Sequence, residues 1–289
     1  MKLWKNLSNR LDAVADVMAA KPCMQGCVGK TLLSIPRTPG NLITAVILAI
    51  GLLITIGRFG FGLGAVTNLD DNNPWGIWIA FYINITCGLA LISQEKDILH
   101  DVLRAFPQYA NLSPAKFAAA ISGIIGLVLA VDSVFNTAGR VGFSTLSDHL
   151  KRRETVYQVI FIMSIAVCLL QIFTNSIGNA LLWAVLAMLF LVNAGYGGGF
   201  STLPVLLDQH FGTKTVSTTH GLTLSAWAFA GLSGNQLASF VVAHAPDQAH
   251  RYAALIPVLT GRFVVALISI SLVKYLGDRN VTKAVEDRG

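Results

Sequence analysis

The sequences FYINITCGLALIS, residues 81–93, and NTAGRVGFSTLSDHLKRR, residues 136–153, decide how this chain folds. The second string runs from an apolar segment through Arg140 and Asp148 into the basic cluster at residues 151–153. Lysine and arginine collect in the cytoplasmic loops of membrane proteins. The pattern therefore predicts a cytoplasmic loop between two membrane-spanning helices.

The composition is that of an integral membrane protein. Of the 289 residues, 54% are hydrophobic and only 12% are charged, whereas soluble domains have about 25% charged residues. The stretch from Thr155 to Leu207 contains no Asp, Glu, Lys or Arg, which is enough for two spans of roughly 20 residues each. The net charge of +6 is expected in cytoplasmic loops and does not indicate nucleic-acid binding. The sequence predicts a multi-pass protein of the inner, cytoplasmic membrane.

Seven apolar segments, A to G, follow an N-terminal part of different composition. Residues 2–20 place apolar side chains at spacings of three and four, which is typical of a helix on the membrane surface and equally of a soluble helix. A linker rich in proline and glycine follows at residues 21–40. The approximate segments are A 41–60, B 75–93, C 115–146, D 156–174, E 179–206, F 217–243 and G 252–274. We expect an all-α fold.

The lysines and arginines separate best when only segments B to G cross the membrane. In that arrangement the outside loops carry Lys96, Arg104, Lys116 and Arg251, and most other basic residues lie inside. If segment A also crossed, the basic residues would divide almost evenly between the two sides, against the usual bias. The sequence therefore predicts six spans and leaves segment A as re-entrant, interfacial or inserted under strain.

The polar residues of segment C form the candidate site. Asp132, Asn136 and Arg140 are spaced at i, i+4 and i+8, so they follow one side of a helix. A guanidinium keeps its charge inside a membrane, and intramembrane charges usually have a function. Arg140 is the main candidate, with a structural ion pair as the alternative. Asp132 either neutralises Arg140 through Asn136 or carries a coupling proton, and all three residues could instead be a polar packing strip.

Other patterns predict less chemistry. Cys23 and Cys27 have no second pair of Cys or His nearby, so we expect no metal site, and no cofactor. The glycines at positions 195 and 197–199 are not followed by the GK[ST] of a phosphate loop. They predict close helix packing or a flexible gate. Arg262, near the middle of segment G, is expected to have a structural role.

Residues from about 81 to 275 resemble the C-terminal half, helices seven to twelve, of the oxalate/formate antiporter family of the major facilitator superfamily. The motifs are FYINITCGLALIS, NTAGRVGFSTLSD with the following KRR, NAGYGGGFSTLPVLLDQHFG and HGLTLSAWAFAGLSGNQLAS. The chain departs from the family at Ser144, His149 and Lys151, where the family usually has glycine, arginine and glycine. The resemblance implies a six-helix half bundle with one extra N-terminal apolar helix, transport by alternating access, and substrate carboxylate binding by Arg140.

The resemblance also bears on the substrate. Oxalate carriers of that family have a lysine in the helix that corresponds to segment F, but this segment has none and reads SAWAF around Trp227. A monocarboxylate such as formate, lactate or pyruvate is therefore expected, with Trp227 either lining the pocket or packing. A homodimer or a separate N-terminal half would complete the transporter, and without one the chain would be a non-functional remnant. No covalent bond changes, so we do not expect an enzyme.

Residues 58–79, RFGFGLGAVTNLDDNNPWGIWI, resemble the early helices of the polysulfide-reductase-type membrane subunit, also found as the cytochrome-b-like anchor of some hydrogenases. This resemblance implies an alternative function as the membrane anchor of a quinone-linked redox complex with an iron–sulfur partner. No four spaced cysteines in this chain could hold such a cluster. The two resemblances meet near residues 79–82. They predict a quinone-subunit-like part at 1–80 and a facilitator-like part at 81–289, whose first helix begins near residue 75.

Overall fold

The computed structural model describes residues 74–174, 178–245 and 251–286, which fall within one compact unit. All regular structure in these ranges is helical. The predictions for the surface helix, the Cys23 and Cys27 pair, segment A and most of the quinone-subunit-like stretch lie outside the described residues. The division of the chain near residue 80 stays a prediction.

The described ranges contain eight α-helices and one short 3₁₀ helix. The α-helices are α1 Pro74–Arg104, α2 Pro107–Ala110, α3 Pro114–Asp148, α4 Glu154–Thr174, α5 Gly178–Phe211, α6 Val216–Thr223, α7 Ser225–Ala243 and α8 Leu255–Glu286, and the 3₁₀ helix is Arg251–Ala254. Prolines at the starts of α1, α2 and α3 fit this pattern, because the first turn of a helix does not need their missing N–H. The expected all-α architecture is confirmed.

Five of the described helices are long and apolar enough to cross a bilayer: α1, α3, α4, α5 and α8. They correspond to segments B, C, D, E and G, so the protein is a multi-pass membrane protein. Segment F, predicted as a sixth span, is divided at Leu224 into α6 and the 19-residue α7. α7 contains Asn235, Gln236 and several serines, which lower its apolar content. It is therefore not one of the five candidate membrane spans. The prediction also ended segment B too early, because α1 continues to Arg104.

The long helices pack in a definite order. α3 lies against α5, α5 against α4, α4 against α8, α8 against α1, and α1 against α7, while α1 also contacts α5 across the middle. Phe81, Tyr157, Phe161 and Phe263 are fully buried between these helices. α3 and α7 are therefore the first and last helices in this order, and no other described helix packs on their outer faces.

Two glycines set the close approach of α3 and α5. A Cβ at Gly139 would overlap the backbone of Ala194, and a Cβ at Gly197 would overlap the backbone oxygen of Asn136. The Ser201 hydroxyl on α5 also donates to the carbonyl oxygen of Arg140 at 2.9 Å. Small residues permit such contact between membrane helices, so the prediction that the glycine cluster packs helices is confirmed at this contact.

Candidate functional site

A chain of hydrogen bonds joins the polar side chains of α3 and α5. Arg140 Nε donates to Asn136 Oδ1 at 3.3 Å, and Asn136 Nδ2 donates to Asn193 Oδ1 at 2.8 Å. Asn193 Nδ2 in turn donates to Asp132 Oδ2. The predicted row of Asp132, Asn136 and Arg140 is therefore connected, but the connection passes through Asn193 of another helix, which the sequence analysis did not single out.

The guanidinium of Arg140 is exposed on the open side of α3. Its centre lies 5.9 Å from the ring of Phe200 on α5, within reach of a cation–π contact. Among the described side chains, no carboxylate forms an ion pair with it. Within the described residues, the exposed guanidinium of Arg140 therefore donates one hydrogen bond, from Nε to Asn136.

Trp227 lies on the same surface as Arg140. Its ring meets Phe200 edge to face, with centroids 5.7 Å apart, and Tyr196 meets Phe200 in the same way at 5.4 Å. Trp227 is 49% exposed. Side chains from α3, α5 and α7 therefore form one cluster around Phe200, which consists of Arg140, Tyr196, Phe200 and Trp227 and is named the anion face after the function proposed below.

Two buried carboxylates lie on α1 and α3. Asp132 is only 4% exposed, and its Oδ1 has no hydrogen-bond partner in the described part of the chain. Glu95 on α1 is 2% exposed, its Oε1 also has no partner among the described atoms, and it interacts electrostatically with Asp132. The sequence analysis placed Glu95 in a loop. The buried Ile98, Leu99 and Leu103 continue the helical spacing beyond it, and that spacing was the signal for its position.

A second polar cluster fixes the helix ends near the predicted cytoplasmic loop. Glu154, fully buried at the start of α4, pairs with His210 Nε2 at 2.8 Å and with Arg152 Nη2 at 3.0 Å. Gln209 Nε2 donates to its other oxygen at 3.1 Å, and Arg152 Nε lies 3.1 Å from Asp278 Oδ1. Part of the basic loop therefore has a structural use, because it ties α4, α5 and α8 together.

The other sequence candidates within the described residues are Arg262, Cys87 and Cys168. One guanidinium nitrogen of Arg262, Nη1, is buried without a hydrogen-bond partner in the described ranges. Cys87 and Cys168 are buried free thiols. Across the described residues, no group of three or more His, Cys, Asp or Glu side chains is arranged to hold a metal ion.

Comparison with known proteins relates less than a fifth of this membrane protein to each of two others. No protein-family model and no solved structure matches the chain. A protein of Nitratidesulfovibrio vulgaris is 63% identical over 54 residues, 19% of this chain and 13% of that protein. The probable Ni/Fe-hydrogenase 2 b-type cytochrome subunit of Escherichia coli K12 is 41% identical over 49 residues, 17% of this chain and 12% of that subunit. The chain spans about an eighth of the length of the curated relatives it matches.

The match to the hydrogenase b-type cytochrome subunit supports one of the two resemblances in part. The similarity to a hydrogenase b-type cytochrome subunit agrees with the resemblance drawn from residues 58–79, over less than a fifth of the chain. Neither relative is named as a transporter. The chain is a multi-pass, all-α membrane protein with one short stretch similar to a hydrogenase membrane subunit.

Proposed function

We propose that this protein is a facilitator-like half of an inner-membrane carrier for small organic anions, and that Arg140 binds the carboxylate of the anion. The observation that carries the proposal is an exposed guanidinium in a membrane-spanning helix without a carboxylate partner in the described chain. Such a charge is expensive against lipid and is usually directed to a water-filled path or a ligand. A guanidinium can hold a carboxylate through two parallel hydrogen bonds.

The anion face suits a small monocarboxylate. Phe200 and Trp227 supply aromatic surface next to the single cation, which fits a ligand with one charged end and a small apolar end. Neither α6 nor α7 contains a lysine or arginine that could pair with a second carboxylate. Formate, lactate and pyruvate therefore fit better than oxalate. The site binds and releases its ligand unchanged, so the proposed activity is transport and not enzymatic catalysis.

A second set of helices has to cover the anion face. Carrier sites lie near the middle of the membrane between two structural repeats, whereas a polar face against lipid is unfavourable. The open faces of α3 and α7 are the surfaces that a second copy of this chain, or a separate N-terminal half, would meet. Transport then needs a dimer or such a pair.

Uptake of labelled formate and pyruvate into proteoliposomes that contain the full chain tests the proposal. Arg140→Ala is expected to reduce uptake about 10- to 100-fold, because a hydrogen bond to a charged group contributes about 1.5–3 kcal/mol. Arg140→Lys keeps the charge without the planar fork and should fall between Ala and the parent. Val141→Ala, an exposed neighbour on α3, is the control. Uptake that does not depend on Arg140 would rule the proposal out.

A second candidate function rests on the match to the hydrogenase b-type cytochrome subunit. In this case the chain would anchor a redox partner that carries iron–sulfur clusters and would exchange electrons with quinone. Affinity purification from membranes, followed by a quinol-dependent reduction assay, tests this candidate. A co-purified iron–sulfur protein reduced by quinol, together with no anion uptake, would favour the anchor over the carrier.

A further inference from the structure

We infer that Glu95 and Asp132 form a proton-binding site inside the membrane, and that Asn193 and Asn136 couple this site to anion binding at Arg140. The proton site rests on the burial and the unpaired oxygens of the two carboxylates. The coupling also rests on the proposed function, because it requires an anion at Arg140.

The first argument is the burial of two carboxylates with free oxygens. Glu95 Oε1 and Asp132 Oδ1 are both buried and have no hydrogen-bond partner in the described chain. An unpaired buried polar atom is unfavourable, and an unpaired buried charge is more so. One bound proton removes one of the two charges and provides an O–H donor. The pair is therefore suited to hold a proton.

The second argument is that no ion pair within the described residues neutralises either carboxylate. Glu95 interacts electrostatically with Asp132, and Asp132 interacts with the amide of Asn193. Other titratable or charged groups on these helices and on those packed against them include Lys96, Asp97 and His100 on α1, Arg140 on α3, Tyr196 on α5, His220 on α6 and Arg262 on α8.

The third argument is the relay that joins the proton site to the anion face. Arg140 lies eight residues beyond Asp132 on α3, about 12 Å along the helix axis. Its positive charge is connected to Asp132 through the hydrogen bonds of Asn136 and Asn193, and so favours an ionised Asp132. An anion on Arg140 cancels that charge and competes for the guanidinium. Anion binding therefore favours proton binding at the carboxylates, and the reverse holds by linkage.

Binding of labelled formate and pyruvate to the reconstituted full chain, measured against pH, tests the coupling. The parent is expected to bind more tightly as pH falls, by up to about tenfold per pH unit for one linked proton. Glu95→Gln and Asp132→Asn should remove this dependence and retain binding at low pH. Asp97→Asn, which changes an exposed carboxylate on α1, is the matched control and should keep the full dependence.

Infrared difference spectroscopy tests the proton site without relying on transport. The parent should show the carbonyl band of a protonated carboxylic acid that increases when formate is added, and the band should disappear in Glu95→Gln or Asp132→Asn. Asn136→Ala keeps both carboxylates but breaks the relay, so its band should remain and no longer respond to formate. This variant keeps the test valid if the carboxylate variants fail to fold.

The outcomes separate the two proposals. If Arg140→Ala abolishes anion binding but Glu95→Gln and Asp132→Asn keep the parental pH dependence, the proton site is wrong and the carrier assignment stands. If the parent binds no anion, yet its carboxylic acid band depends on Glu95 or Asp132, the carrier assignment is wrong and the proton site stands. A band that persists in both variants overturns the proton site.

Discussion

His210 Nε2, near the end of α5, lies 2.8 Å from Glu154 Oε1, the first residue of α4. Arg152 forms an ion pair with the same oxygen of Glu154 and a second ion pair with Asp278, in the C-terminal half of α8. Residues far apart in sequence therefore connect α4, α5 and α8 around one buried carboxylate. Since Glu154 is fully buried, its partners would be left with uncompensated charge or unused donors if it were removed.

Glu154→Ala should lower the stability of the folded chain by about 3 kcal/mol or more, because breaking a buried pair leaves the partner charge uncompensated. Urea unfolding in detergent, followed by circular dichroism, measures the change. Asp148→Ala is the control. Asp148 is exposed and its Oδ1 is as far as 4.0 Å from Arg153 Nη1, so a loss of stability below about 1 kcal/mol is expected. Equal effects of the two variants would contradict the structural use of this cluster.

Gly139→Ala should weaken the packing of α3 on α5 by about 1–3 kcal/mol, because the added methyl group meets the backbone of Ala194, which cannot rotate away. Gly123→Ala on the same helix meets nothing within 4 Å and should be neutral or stabilising by up to about 1 kcal/mol. Thermal unfolding in detergent compares the two variants. If Gly139→Ala is as stable as Gly123→Ala, α3 and α5 do not approach as described.

Trp227→Ala should weaken anion binding by a few-fold without abolishing it, because Trp227 bounds the anion face through Phe200 and does not carry the charge. Binding of labelled formate and pyruvate to the reconstituted protein provides the measurement, with a larger loss expected for pyruvate, which has the apolar end. Trp183→Ala on α5 is the matched control, since Trp183 is also highly exposed. An unchanged affinity in Trp227→Ala would show that this ring only packs.

A cysteine at position 137 should cross-link two copies of the chain if a homodimer completes the carrier. Thr137 is exposed on α3, one turn from Arg140, so a second copy that covers the anion face would approach it. The experiment uses Thr137→Cys in a chain whose Cys23 and Cys27 are replaced by serine, with a short thiol cross-linker in membranes. The matched control is Ile162→Cys, on the exposed face of α4.

A cross-linked species of twice the chain mass for Thr137→Cys, and none for Ile162→Cys, is the expected result. Cys87 and Cys168 are buried and should not react in the folded protein. The absence of any Thr137→Cys dimer, in a preparation that transports anions, would exclude the homodimer. A separate N-terminal half would then be the arrangement to test.

The sequence was informative about residues whose role depends on local spacing. The apolar runs predicted the helices now numbered α1, α3, α4, α5 and α8, and the spacing of Asp132, Asn136 and Arg140 predicted one polar row on α3. Segment F was the exception, because average apolar content does not reveal a break at one residue such as Leu224. The start of α1 near residue 75 was also within one residue of its observed position.

What the sequence by itself determined is the membrane class and the helical segments, since hydrophobicity and helical period are properties of neighbouring residues. Only the tertiary structure decided that Glu95 is buried, that Asn193 bridges Asp132 and Asn136, and that Glu154 joins three helices. Each of these contacts joins residues far apart along the chain. They depend on which helix faces pack together. The close approach of α3 to α5 at Gly139 brings Asn193 next to Asp132 and Asn136.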